Sequence, residues 1–342
     1  MGHSPTPVSP VVEAWSTYRT SSAENWTPRR LVAAKGTSTV SVVLPARDEE
    51  ATVGAIVGTI REHLMDRLPL VDELIVVDSR STDATAAVAA AAGARVVSQD
   101  DMTRSMPRLE GKGDALWSGL LAASGDVVAF LDADLREFGP HFVTGLLGPL
   151  LTDPSVGFVK GFYHRPLTCA SGVEPDSGGR VTELVARPLL NLFWPELAGF
   201  VQPLAGEYAG RRAILDQLPF VSGYGVETAM LIDLLDAVGL DALAQVDLGE
   251  RLHRHQNTEA LGRMGAQILI TAWSRLYRQG WATTPTPPST LLTQFRRGHG
   301  GLLPTLDREI LVTDVAVAER PPVAPLREFL RRSALKEAAV WA

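Results

Sequence analysis

The chain has 342 residues, 45% of them apolar, and its 32 basic and 39 acidic residues leave a net charge of -7. That apolar content buries a sizeable core in one large domain or two merged ones, and the acidic balance argues against broad nucleic-acid affinity, which needs concentrated positive charge. The one cysteine, Cys169, excludes an intrachain disulfide framework and a cysteine-cluster zinc site. No apolar run reaches the ~18 residues of a membrane span, and the N-terminus lacks a signal-peptide apolar core, so a cytoplasmic location is expected.

Residues 1–37 mix Pro, Ser, Thr and scattered Trp without sustained periodicity and predict a loosely ordered arm, packed locally through Trp15 and Trp26. From Val40 the pattern changes. The runs "VSVVLPA", "EEATVGAIVGTIREHL", "ELIVVDS", "TDATAAVAAAAG" and "ARVVS" alternate β-branched and helical stretches, the mark of βαβ units with a parallel sheet. "GKGDALWSGLLAAS" adds a helix, and "DVVAFLDAD" and "GFVKGFYHR" add strands. Residues 38–165 therefore read as an α/β nucleotide-binding region, whose ligand should lie at the carboxyl ends of the strands. Residues 166–282 read as mainly helical, through "RVTELVARPLLNLFW", "AGRRAILDQL", "VETAMLIDLLDAVG" and "LGRMGAQILITAWSRLYRQG", interrupted by the strand-like "ALAQVDLGERLH". "TTPTPPST" opens residues 283–342 as a linker before a charged tail.

Four polar stretches fall where strands end or helices begin: "LPARDEE", "VVDSRSTD", "LEGKGDA" and "LDADL". Asp78 offers an acceptor for ring N–H or hydroxyl groups, while Ser81 and Thr82 equally suit a helix N-cap. Lys112 lies between two glycines, without the spacing and Ser/Thr of a P-loop. If extended backbone persists to Leu135, Asp132 and Asp134 point to one face, and two like charges there need a cation. A hard divalent ion such as Mg²⁺ binds through one or two carboxylates plus substrate phosphates.

The series "SVVLPARDEE", "DELIVVDSRSTD", "GKGDALW", "FLDADL", "GGRVTELVARPLL", "QPLAGEY", "GYGVE" and "LGERLHRH" resembles the actinobacterial glucosyl-3-phosphoglycerate synthases and the related mannosyl-3-phosphoglycerate synthases. These are retaining glycosyltransferases of the GT-A fold, and the resemblance covers about residues 38–280. It implies a Rossmann-like, mostly parallel sheet with a largely helical acceptor region, Mg²⁺ or Mn²⁺, and transfer of a hexose from a sugar nucleotide to 3-phosphoglycerate. It implies UDP-glucose as donor, with GDP-mannose the alternative, and a homodimer. Nucleotide recognition falls by motif on Pro45, Ala46, Arg47, Glu49, Asp78, Ser79 and Lys112. Where this chain has Arg47 and Asp48, the family often has a hydrophobic residue and Asn. Asp134 and His253 would hold the metal, with Asp132 supporting ribose or metal.

The acceptor carries a phosphate and a carboxylate, so its pocket needs cationic or N–H donors. "GGRVTE" places Arg180 and Thr182 at a helix start, which favours anions and also suits a plain cap. The resemblance assigns Arg180, Thr182 and, more distantly, Arg254 to the acceptor, and Tyr224 and Glu227 to sugar and acceptor hydroxyls. Asp132, Asp134, Glu227 and His253 are the expected catalytic set. Retention would follow from a front-face substitution in which the departing phosphate oxygen takes the acceptor proton; a double displacement needs a carboxylate beneath the anomeric carbon. A sugar-1-phosphate nucleotidyltransferase and a noncatalytic sugar-nucleotide sensor are the rival readings, separated by the nucleotide released and by turnover.

Overall fold

The computed structural model describes residues 9–104, 106–164, 167–169, 172–174, 179–250, 257–283, 286–297 and 308–340. Its centre is an eight-stranded sheet built from β1 (Thr20–Ser22), β2 (Val40–Ala46), β3 (Glu73–Asp78), β4 (Arg95–Ser98), β5 (Val127–Phe130), β6 (Phe158–His164), β7 (Tyr208–Arg211) and β8 (Leu243–Glu250). The spatial order is β1-β8-β6-β7-β5-β2-β3-β4. Every adjacent pair is parallel except those made by β7, which runs antiparallel to both β5 and β6. Seven carboxyl ends and the amino end of β7 therefore share one edge.

The strands β2, β3 and β5 are apolar runs because both faces of the sheet are covered. Alternate residues of β2 go to opposite sides: Val42 and Leu44 join Ile56, Ile60, Phe142 and Leu146 in one core, and Val43 joins Ile75, Val77, Trp117 and Leu120 in the other. The helix Val53–Ile60 and the helix Pro140–Thr152 cover the first face, and the helix Lys112–Ala122 covers the second. Among the described residues no helix is long and apolar enough to cross a membrane.

Three segments differ from their sequence expectation. Residues 10–35 are ordered rather than a loose arm: the helix Pro10–Arg19 buries Val12 and Trp15, Trp15 Nε1 donates to the Leu243 carbonyl at 2.8 Å, and β1 extends the main sheet beside β8. With two core residues on a ten-residue helix, the periodicity was too short to read. "AGRRAILDQL" begins as β7 and becomes a helix only at Arg212–Leu215, because its small residues fill the gap between β5 and β6. The C-terminal tail packs too. The strand Glu319–Arg320 pairs with Phe220–Val221, Trp117 Nε1 donates to the Pro321 carbonyl at 2.7 Å, and Val323 is fully buried. Before it, Leu291–Arg297 and Arg308–Asp314 form an antiparallel ribbon with Phe295, Ile310 and Val312 exposed.

Candidate active site

The loops after β2 and β3 are laced together before any ligand is considered. Ser79 N–H donates to the Ala46 carbonyl at 2.8 Å, Glu49 N–H to Thr85 Oγ1 at 2.8 Å, Thr82 N–H to Asp48 Oδ1 at 2.7 Å, and Asp48 N–H to Ser81 Oγ at 3.0 Å. The helix expected to be capped at Ser81 or Thr82 starts only at Thr85, and both residues serve this loop-to-loop seam instead. Asp48 and Arg80 both adopt positive φ, 56° and 61°, where the chain turns sharply out of the strands. Pro45 fits on β2 because β5 pairs only as far as Val43, leaving no strand on that side to need its missing N–H. Pro45, Ala46, Glu49, Asp78 and Ser79 therefore share one strand-end ledge. Arg47 is exposed there, 4.0 Å from Asp48. Asp78 Oδ1 is buried and accepts no hydrogen bond from the described residues.

The strand β5 stops at Phe130, and Asp132 and Asp134 lie beyond it in a turn. The expected side-by-side pair on an extended strand is corrected accordingly. Leu135 is buried, as is Ala133, whose carbonyl accepts from Thr52 Oγ1 at 2.6 Å, so the turn is folded back onto the core. The two acids part company: Asp132 lies 2.5 Å from Lys112 Nζ, whereas Asp134 is exposed at the sheet edge. The cation that the first acid requires is a lysine of the chain itself.

Lys112 also lies 3.2 Å from Glu227, whose side chain is only 7% exposed. Both glycines of "GKG" are explained by this placement. A Cβ at position 113 would lie 1.7 Å from the Val221 carbonyl oxygen, and one at 111, where φ is +99°, would lie 2.7 Å from the Gly223 backbone. The two loops touch backbone to backbone, which brings the start of one helix against the start of the helix Val226–Val238. A Cβ at Gly206 would fall within 2.5 Å of both Lys112 Nζ and the Asp132 carboxylate. Burial opposes the charge on Lys112, but Asp132 and Glu227 outweigh it and raise its pKa well above the ordinary lysine value.

Beneath this pair are groups that motif reading did not single out. Lys160, in the middle of β6, is 1% exposed, donates to the Ala205 carbonyl at 2.7 Å, and lies 4.8 Å from the ring centre of Tyr208. Burial pulls its pKa down to about 8, Glu227 and Glu207 hold it up, and Lys112 pushes it further down. Glu207 and Tyr208 are fully buried, and the Tyr208 pKa is raised by burial and by Glu227. A lysine inside "GFVKGFY" breaks the apolar pattern of a central strand, and "AGEY" puts a glutamate at the start of another; these were the available signals.

In the segment expected to bind the acceptor, Gly179 has φ +82° and the helical segment begins at Arg180. Arg180 is exposed and Thr182 is 4% exposed. Tyr224 is 43% exposed with its N–H donating to Gln267 Oε1 at 3.0 Å, at the loop that carries Glu227. His253 and Arg254 lie outside the described residues, three and four positions past the end of β8 in sequence. Among the described residues no group of three or more His, Cys, Asp or Glu side chains could by itself hold a metal. Of the two acids of the D-x-D, Asp132 pairs with Lys112 and Asp134 is the more exposed. An apolar cavity of about 390 Å³, lined by Leu189, Phe193, Trp273 and Leu292 among others, contains none of these residues.

Residues 41–188 match the family model described as glycosyl transferase family 2. A curated glucosyl-3-phosphoglycerate synthase from Mycolicibacterium smegmatis is 47% identical over 313 residues, covering 92% of this chain and 98% of that protein. The crystal structure of glucosyl-3-phosphoglycerate synthase from Mycobacterium tuberculosis in complex with Mn²⁺, UDP-glucose and phosphoglyceric acid superposes with a TM-score of 0.74 at 45% identity, over 88% of this chain and 95% of that one. That of mannosyl-3-phosphoglycerate synthase from Rubrobacter xylanophilus gives a TM-score of 0.84 at 40% identity, over 92% and 99%. With a curated relative matched at this identity over nearly its whole length, on a mostly parallel sheet whose strand ends gather the acids and the lysine, the chain belongs to the glucosyl-3-phosphoglycerate synthase family.

Proposed function

We propose that this protein transfers glucose from UDP-glucose to the hydroxyl of 3-phosphoglycerate, giving glucosyl-3-phosphoglycerate with retention at the anomeric carbon. The near full-length relationship to the synthase from Mycolicibacterium smegmatis carries this reading, and the Lys112, Asp132 and Glu227 cluster at the shared strand edge gives it a chemical basis. Base and ribose lie on the ledge of Pro45, Ala46, Glu49, Asp78 and Ser79, where Asp78 Oδ1, which accepts nothing from the described residues, takes a ribose hydroxyl. Asp134 and His253 would hold Mg²⁺ or Mn²⁺, which when bound neutralises the diphosphate as it leaves. Asp132 and Glu227, both paired with Lys112, accept from ribose, sugar and acceptor hydroxyls. Lys112 also sets positive charge beside the leaving group. Glu227, buried and held by Lys112, is a poor nucleophile, so the departing phosphate oxygen takes the acceptor proton on the front face.

The higher TM-score with the Rubrobacter xylanophilus mannosyl-3-phosphoglycerate synthase favours a second reading, GDP-mannose as donor. With 3-phosphoglycerate and Mg²⁺, UDP release from UDP-glucose is expected to exceed GDP release from GDP-mannose. The reverse order replaces the first reading with the second, and no release from either donor overturns both in favour of a binding protein.

Arg180 and Thr182, with Arg254, take the acceptor's phosphate and carboxylate. Arg180→Ala is expected to raise the KM for 3-phosphoglycerate by about one to two orders of magnitude, the worth of a hydrogen bond to a charged group at roughly 1.5–3 kcal/mol, and to leave UDP affinity unchanged. Steady-state kinetics with each substrate varied check this, and unchanged acceptor kinetics in a folded variant remove Arg180 from the site.

A further inference from the structure

Behind the nucleotide ledge runs a buried chain of hydrogen bonds across four separate elements. Ser79 Oγ donates to Gln99 Oε1 at 2.6 Å, Gln99 Nε2 donates to Asp114 Oδ2 at 2.5 Å, and Arg320 Nε donates to Asp114 Oδ1 at 2.5 Å. Gln99 and Asp114 are fully buried, Arg320 is 2% exposed and Ser79 8%. The direction of every bond is forced from the far end. A guanidinium has only donors and the carboxylate facing it only acceptors, so the Gln99 amide turns its NH₂ to Asp114 and its carbonyl to Ser79. The Ser79 hydroxyl hydrogen is thereby spent on Gln99. What Ser79 Oγ has left for a ligand is lone pairs.

We propose that Gln99, oriented by Asp114 and Arg320, is a positioning residue that fixes Ser79 as an acceptor toward the donor nucleobase, so that the site selects uracil over cytosine. Uracil N3 carries a hydrogen that such an acceptor receives; cytosine N3 is itself a bare acceptor and meets lone pair with lone pair. This rests on the placement of the base at Asp78 and Ser79. Asp78 Oδ1, buried on the same strand end and accepting nothing from the described residues, is left for a ribose hydroxyl, so the single N3–H falls to Ser79. The anchor comes from far along the chain: Arg320 is held by its pairing with Phe220 and lies 5.6 Å from the ring centre of Trp117. The packed C-terminal strand thus acts on donor selection without touching the donor.

Asp114→Asn tests the polarity without removing a partner. Its carbonyl oxygen still accepts from Arg320, its amide donates to Gln99 Oε1, the Gln99 amide turns over to donate to Ser79, and the Ser79 hydrogen is released toward the base. Titration calorimetry of the full chain with UDP and with CDP, each with Mn²⁺, is expected to give a UDP-to-CDP affinity ratio about ten-fold below wild type, the scale of one hydrogen bond. The KM for 3-phosphoglycerate is expected to stay unchanged. Gln99→Leu, which releases the hydroxyl without reversing it, is expected to lower the ratio by a smaller factor and serves if Asp114→Asn does not fold. A wild-type ratio in either folded variant overturns the proposal, as does equal weakening of both nucleotides, the mark of a purely structural role. Ser79→Ala separates the two levels. If it leaves UDP affinity intact, the base is not at Ser79 and both readings fall; if it weakens UDP while Asp114→Asn keeps the wild-type ratio, only the relay falls.

Discussion

Asp134→Asn is expected to lower turnover by about two to three orders of magnitude, equivalent to roughly 3–4 kcal/mol of transition-state stabilisation, while leaving the fold and its melting temperature unchanged. The asymmetry of the D-x-D is the reason. Asp132 is bound to Lys112 and half-buried, so its charge belongs to the protein's own balance; Asp134 is exposed on the strand edge, where the proposed divalent ion and the diphosphate would meet it. Asn keeps the shape and removes the charge, so the loss should fall on kcat and on the Mn²⁺ concentration needed for activity. His253→Ala is expected to move both in the same direction. Metal titrations of UDP release, with Mn²⁺ binding followed by electron paramagnetic resonance in the presence of UDP, check this. Near-wild-type turnover and an unshifted metal titration in folded Asp134→Asn would place the metal elsewhere. An exposed polar turn that held no metal would lose nothing on amidation.

The parallel sheet was legible because βαβ units write themselves as alternating apolar runs and helical stretches, and β2 to β6 fell where "VSVVLPA", "ELIVVDS", "ARVVS", "DVVAFLDAD" and "GFVKGFYHR" put them. The loops carrying Glu49, Asp78, Lys112 and Asp132 were legible for the same reason: strand ends in such a sheet share an edge. Long-range partnerships were not. Nothing local in "LDADL" tells that the chain turns after Phe130, or that Asp132 finds its cation 20 residues upstream; that depends on Gly111, Gly113 and Gly206 permitting backbone contact. The same holds for Arg320, which looked like part of a charged tail and is instead the buried partner of Asp114. Lys160 and Glu207 were visible as misfits in apolar strands, but their shared place under Glu227 comes from β7 running backwards between β5 and β6, which no local pattern encodes.

Lys112→Met is expected to abolish measurable transfer and to cost about 3 kcal/mol of stability, the low end for breaking a buried ion pair. The low end applies because the Lys112 and Asp132 side chains retain 24% and 22% exposure. Two acids then lie without their cation, one of them, Glu227, almost wholly buried. The folded-state pKa of Lys112 is raised, so its stabilisation is fully present below the ordinary lysine value and is lost only as pH rises through the higher folded value. The deficit of the variant should therefore be constant across neutral pH and close only in strong alkali. Lys160 partly offsets it: held near 8 with Lys112 beside it, its ammonium should persist to higher pH once that neighbour is gone. Stability and catalysis separate in the double variant. Lys112→Met with Glu227→Gln removes the stranded charge, so about 1–2 kcal/mol of stability should return while transfer stays absent. Chemical denaturation at pH 7 and UDP release measure the two effects. A double variant whose stability loss equals the sum of the single losses would mean that Lys112 and Glu227 do not act on each other, and that the contact between the two helix starts serves packing alone.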